Sequence, residues 1–205
     1  RIINEVIHME VQRKSLTQLF VPICFETLFY MLAGMVDTLM LSSVSDQAVG
    51  AVGTANTYIG VFIIMFGVIS SGMVAVMTQN IGAGKPGIAY QARQLGLLFN
   101  AIIGVLMSVF LAFFSGNILK IVSIAPALLE PAETYLKIVG GACFLNALIP
   151  IFSSYLRVFG YTKQSLFASV VGNVINFVLN AVFLYVMNLG VMGVAAATVI
   201  SRVIN

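Results

Sequence analysis

The sequence predicts an all-α, polytopic membrane protein of six transmembrane helices. Three observations carry that prediction. Of 205 residues, 60% are hydrophobic and 8% are charged, against roughly 25% charged in soluble domains. Mean hydropathy is +1.05. Apolar runs longer than about 18 residues recur, each able to cross a hydrocarbon core of about 30 Å as a helix, whereas the alternation over about 10 residues that marks a membrane β-barrel is absent.

Breaking the chain at its Gly, Pro and charged clusters gives six segments, at about 16–41, 48–81, 89–119, 128–155, 164–187 and 191–205. The first follows Arg13 and Lys14 and ends at "SSVSDQ". The second closes on "GAGKPG", and the third runs from there to "SIAPAL". The fourth ends at "RVFGYTK", the fifth at "NLG", and the sixth continues to the last residue. Connections this short make consecutive helices antiparallel neighbours in one bundle, so 15–205 reads as a single six-helix unit. Pro22 and Pro150 lie inside segments, either as hinges or as ordinary membrane-helix prolines. Residues 1–14, "RIINEVIHMEVQRK", place Ile2, Val6 and Met9 on one helical face, which suits a segment lying on the membrane surface or a frayed tail.

The net charge of +3, small and dispersed, does not point to nucleic acid. The first apolar stretch is too long for a cleaved signal peptide and lacks a small-residue cleavage site. Ending at Asn205 within an apolar segment, the chain reads as part of a longer protein. Arg1, Arg13, Lys14, Lys85, Arg93, Arg157, Lys163 and Arg202 fall on one side of the bundle. Lys120 and Lys137, with Asp46, Glu130 and Glu133, fall on the other. The positive-inside rule then places both ends of the chain in the cytoplasm, with the plasma membrane, the inner membrane of a bacterium, as the expected location.

No enzyme chemistry is legible. "GAGKP" lacks the first glycine and the Ser or Thr of a phosphate loop. His8 has no partner at metal spacing, and no nucleophilic triad is present. Cys24 and Cys143 sit in apolar runs and read as small hydrophobes, so neither a disulfide framework nor a cofactor is expected.

The informative residues are polar groups inside apolar runs. Asp37, in "MLAGMVDTLML", costs about 2.5 to 3.5 kcal/mol on insertion scales when ionised, so it must be protonated, paired or facing a wet cavity. In "GNVINFVLNAVFLY", Asn173, Asn176 and Asn180 share one helical stripe. At about 1.5 Å per residue, Asp37 lies roughly 8 Å below the outer surface, and Asn180 and Thr198 lie about 10 Å below it. A carboxylate, two amides and a hydroxyl at one level on three helices suit a hard cation such as Na⁺. The same carboxylate in a less polar pocket would carry a proton. Alternatively the amides only bridge helices. Glu26, Tyr30, Gln79 and Asn173 are further candidates to line the cavity.

"MVDT", "TQNIGAGK", "LRVFGYTKQ", "NVINFVLN" and "LGVMGVAAATVISR" occur in order and span about 16–205. Together they resemble the multidrug and toxic compound extrusion (MATE) family of secondary transporters. The resemblance implies the N-terminal lobe of a twelve-helix protein. It implies export of amphiphilic organic compounds, often cations, in exchange for Na⁺ or H⁺, with the C-terminal lobe and the bilayer as partners. It also implies a cation-coupling site at Asp37, Asn176, Asn180 and Thr198. Many members carry Asp where this chain has Asn180, so coupling schemes needing two carboxylates are in question here. Two other readings stand beside this one. A lipid-linked oligosaccharide flippase of the same superfamily needs a basic cavity, which this half does not offer. A structural or signalling membrane protein would use its polar stripe only to join helices.

Overall fold

The computed structural model describes residues 15–205, except for the side chains of residues 30–33. The surface segment expected at 1–14, including His8, and the side chain of Tyr30 therefore lie outside the described residues.

The fold is all-α among these residues. Helix α1 spans Leu16–Ser42, α2 Asp46–Gly82, α3 Pro86–Ile121, α4 Pro126–Tyr135, α5 Cys143–Val158, α6 Thr162–Ala181 and α7 Gly190–Ile204. Their starts follow from local chemistry. Ser15 and Gln18 cap α1 reciprocally, Ser45 caps α2 through Ala48 N–H, and Pro86 and Pro126 open α3 and α4. Proline costs nothing at that position, because its missing N–H would have no helical partner there. The α2–α3 and α5–α6 turns pass through Gly84 (φ 70°) and Gly160 (φ 83°), a conformation that favours glycine.

Helices α1, α2, α3 and α6 with its π-helical extension are each long and apolar enough to cross a membrane. The fourth predicted segment is not one rod. α4 continues into a π-helical turn, Leu136–Gly140, and meets α5 at a 46° bend. The bend falls at Gly141 and Ala142, not at Pro150, which lies inside α5, and Pro22 likewise lies within continuous α1. The last predicted segment is a helix of 15 residues, short of the roughly 20 that a perpendicular crossing needs.

The centre of the bundle is built by α2, α3 and α5 with α4. Ala51, Ala55, Ile59, Phe66, Leu111, Leu136, Val139, Cys143 and Ala147 form the main core, and Met73, Met77, Ala89, Ile151 and Phe159 a second cluster nearer the α2–α3 turn. Small residues set the spacing, because in lipid close van der Waals packing replaces the hydrophobic drive between helices. A Cβ on Gly104 would lie 2.7 Å from the Ala147 Cβ, so α3 and α5 approach at that level only because the residue is glycine. Asn100 fastens the same junction: fully buried, its amide donates to Phe66 O (3.3 Å), Ser70 Oγ (3.4 Å) and Ala147 O (2.9 Å). α1 lies at the edge, with Phe20, Phe25, Leu28, Met35 and Leu39 exposed, and packs mainly against α6.

Candidate functional site

Asp37 sits in the second-last turn of α1, on the face toward α6. Asn180 Nδ2 donates to Asp37 Oδ1 at 2.7 Å and lies 3.2 Å from Asn176 Oδ1. The Asn176 amide also faces the carboxylate. With its nitrogen turned inward it donates to Asp37 Oδ1 (2.8 Å) and Oδ2 (3.2 Å). Four residues apart on α6, the two amides stack on one side of the helix, which is why both reach a single carboxylate. Asn180 is fully buried and Asn176 nearly so, and Asn180 Oδ1 has no hydrogen-bond partner among the described residues. A buried acceptor without a donor is costly in a low-dielectric interior, and a cation relieves that cost.

Thr198, on α7, is buried but does not bond Asp37 directly. Its hydroxyl donates to Val194 O at 2.8 Å, which leaves its oxygen lone pairs available. Tyr135, at the end of α4, lines a cavity together with Asp37 and Asn56. Gly193 lets α7 seat closely on the end of α6, because a Cβ there would come 2.8 Å from Phe183 Cβ. A cavity of about 130 Å³ opens beside Asp37, bounded by α1, α2, α4 and α7, with Asn56, Thr38 and Tyr135 as its other polar walls.

The sequence-predicted residues therefore divide. Asp37, Asn176 and Asn180 are in direct contact, whereas Thr198, buried on α7, bonds its own helix. Gln79 is exposed beside the α2–α3 turn, Asn173 is half-buried one turn before Asn176, and neither lines the cavity. Glu26 does not line it either: it is buried against Arg157, Ser165 and Ser169. Sequence reasoning missed Tyr135 and Asn56. Asn56, in "GTANTYIG", carried the signal that singled out Asn180, an amide deep in an apolar run. Tyr135 gave no such signal, since only the π-helical turn and bend after it fix where α4 lies. Among the described residues no three His, Cys, Asp or Glu side chains gather as ligands for a metal ion. What the oxygens here can do is hold one monovalent cation or one shared proton.

Comparison with known proteins agrees with this architecture. Residues 22–182 match the MatE family model. The chain is 36% identical over 195 residues to the uncharacterized transporter YisQ of Bacillus subtilis, covering 93% of this chain and 43% of that one. It is 29% identical over 209 residues to a Thermotoga maritima protein named "Probable multidrug resistance protein NorM", covering 94% and 42%. An outward-facing multidrug resistance MATE family transporter of the MOP superfamily superimposes with a TM-score of 0.84 at 22% identity, over 92% of this chain and 42% of that one. The chain thus spans less than half the length of the relatives it matches.

Proposed function

Because this chain belongs to the MATE family, we propose that it forms the N-terminal lobe of a secondary transporter exporting amphiphilic organic compounds, often cations, in exchange for Na⁺ or H⁺. The observation that carries this reading is the Asp37 carboxylate held at 2.7 Å by Asn180 within an apolar helix. An ionisable group at such depth is expensive and is functional by default. The multidrug name of the Thermotoga maritima relative supports the substrate class.

We infer that the Asn176 amide turns over between two states of the site. With nitrogen inward, Asn176 and Asn180 both donate to an ionised, empty Asp37. Turned over, the Asn176 oxygen faces the carboxylate at 2.8 Å. It then accepts from a protonated Asp37, or joins Asp37, Asn180 Oδ1 and Thr198 Oγ1 around Na⁺. One carboxylate suffices to neutralise one monovalent cation. Binding biases the lobe toward whichever conformation holds the cation better, and organic substrate favours the other, which is the thermodynamic content of antiport.

The protein is a polytopic membrane protein. We place it in the plasma membrane, the inner membrane of a bacterium, with the end carrying Lys85, Arg93, Arg157 and Lys163 toward the cytoplasm. The rest of the transporter supplies a second lobe, and the two enclose the substrate path.

The test uses the full-length transporter in proteoliposomes, with extrusion of a fluorescent organic cation followed under imposed Na⁺ or H⁺ gradients. One gradient is expected to drive the wild type and neither to drive Asp37→Asn. Gradient-driven transport that persists in Asp37→Asn contradicts the assignment. Translocation of lipid-linked sugars in place of any extrusion would favour the flippase reading.

A further inference from the structure

The seam between α1 and α6 carries the same polar arrangement twice. At Asp37 the partners are Asn176 and Asn180. At Glu26 they are Ser165, whose hydroxyl lies 3.2 and 3.3 Å from the two carboxylate oxygens, and Ser169, which donates to Oε1 at 3.2 Å. In each case a carboxylate on α1 meets two polar side chains on α6 that are 139 and 143 positions further along the chain. Eleven residues separate the two levels on both helices. Eleven residues make just over three helical turns, so both carboxylates point from one face of α1 toward one face of α6. The equal offset also means that the two helices run in the same direction. A third polar contact, Ser43 Oγ to Tyr185 Oη at 2.8 Å, closes the far end of the seam.

The two carboxylates differ in what neutralises them. Glu26 has a resident cation, the Arg157 guanidinium, with Nη2 at 2.6 Å from Oε1. Asp37 has no such contact among the described residues. Arg157 comes from the last turn of α5 and Ser165 from the first turn of α6, so the Glu26 cluster clasps α1 to both sides of the α5–α6 turn.

From this repetition we infer that Glu26 and Arg157 are positioning residues for the Asp37 site, fixing the register of α1 on α6 so that Asp37 meets Asn176 and Asn180. The inference rests on the reading of Asp37 as the coupling carboxylate. Its physical basis is the weakness of everything else along the seam. Apolar side chains gain little by leaving lipid for one another, so apolar packing does not strongly resist a slip or rotation of one edge helix on another. Polar contacts do resist it, because a displaced carboxylate loses its donors in a medium that offers no replacement. Of the polar ties along the seam, the one at Glu26 is closed permanently by its own guanidinium. The one at Asp37 must open to exchange its cation. A permanent tie three turns away keeps α1 aligned while the exchangeable one is remade, and its loss weakens cation binding at Asp37 without touching a ligand.

The full-length transporter in proteoliposomes tests this through the cation concentration giving half-maximal extrusion of a fluorescent organic cation, measured with the maximal rate. Wild type, Glu26→Gln, Arg157→Gln, the double variant Glu26→Gln/Arg157→Gln, Arg157→Lys and Asp37→Asn are compared. The double variant removes both charges together, so it leaves no unpaired charge to prevent folding, and it is the deciding protein. A half-maximal concentration raised at least five-fold in the double variant, with a maximal rate within two-fold of wild type and Arg157→Lys close to normal, is the expected result. An unchanged half-maximal concentration, or a fall in maximal rate alone, overturns the inference. Asp37→Asn separates the two levels of the argument: if it still shows cation-driven extrusion, the coupling assignment itself fails. If it is inactive while the double variant behaves as wild type, only the positioning role fails.

Discussion

Asp37→Asn is predicted to abolish cation coupling while leaving the fold as stable as before, and the structure allows the size of each effect to be worked out. Replacing the carboxylate by an amide relieves part of an insertion cost that reaches about 2.5 to 3.5 kcal/mol for an Asp at the centre of a span. It also turns the bonds from Asn180 (2.7 Å) and Asn176 (2.8 Å) from charge-assisted to neutral. Such bonds contribute about 1.5 to 3 kcal/mol when one partner is charged and about 0.5 to 1.5 when neither is, so the pair loses roughly 2 to 3 kcal/mol. Gain and loss nearly cancel. Cation linkage is where the proteins part: the wild type gains about 2.7 kcal/mol when the coupling cation stands at 100 times its dissociation constant, and the variant gains none. Circular-dichroism melts of the full-length transporter in detergent, titrated with Na⁺ and with acid, measure both quantities. Wild type should show a cation-dependent rise in midpoint, and Asp37→Asn a flat response from a similar starting value. A variant destabilised by more than about 3 kcal/mol, or one whose midpoint still climbs with the cation, would refute the reasoning.

Other substitutions probe single contacts. Tyr135→Phe removes the side chain's polar end from the wall of the Asp37 cavity and should raise the half-maximal cation concentration about 2- to 10-fold, the equivalent of one hydrogen bond of about 0.5 to 1.5 kcal/mol. An unchanged cation dependence would remove Tyr135 from the site. Asn100→Leu deletes the interhelical bonds to Phe66, Ser70 and Ala147 and should cost about 0.6 to 2 kcal/mol in reversible unfolding from bicelles, with little effect on cation affinity. Gly104→Leu drives a side chain into Ala147, whose Cβ would already lie 2.7 Å from a Cβ at position 104. It should destabilise by about 1 to 3 kcal/mol or more, with Ala147→Gly restoring part of the loss. Full stability in Gly104→Leu would show that α3 and α5 are not held at that spacing.

Much of this architecture is legible in the sequence, and what is not has identifiable causes. The turns at "GAGKPG" and "RVFGYTK" announce themselves through Gly84 and Gly160, whose positive φ few other residues adopt. Asp37, Asn176 and Asn180 reveal themselves because a polar group in an apolar run needs a partner, and helical spacing says which ones share a face. The bend between α4 and α5 was not legible. Two adjacent glycines, Gly140 and Gly141, mark it only weakly, and Pro150, the obvious candidate, lies within a helix. Because that bend places Tyr135, its position in the wall of the Asp37 cavity stayed hidden. Glu26 illustrates the converse. Its face on α1 could be read from spacing, but its partners could not, since Arg157 and Ser165 approach it across the α5–α6 turn from a distant part of the chain.

The most direct measurement of the central claim is cation release provoked by substrate. Purified full-length transporter is loaded with the coupling cation, an amphiphilic organic cation is added, and free Na⁺ or H⁺ is followed. Antiport through Asp37 predicts stoichiometric release from the wild type, none from Asp37→Asn, and, by reciprocity, substrate binding that weakens as the cation is raised. If substrate binds without displacing any cation, or if Asp37→Asn releases as much as the wild type, Asp37 is not the coupling carboxylate of this lobe.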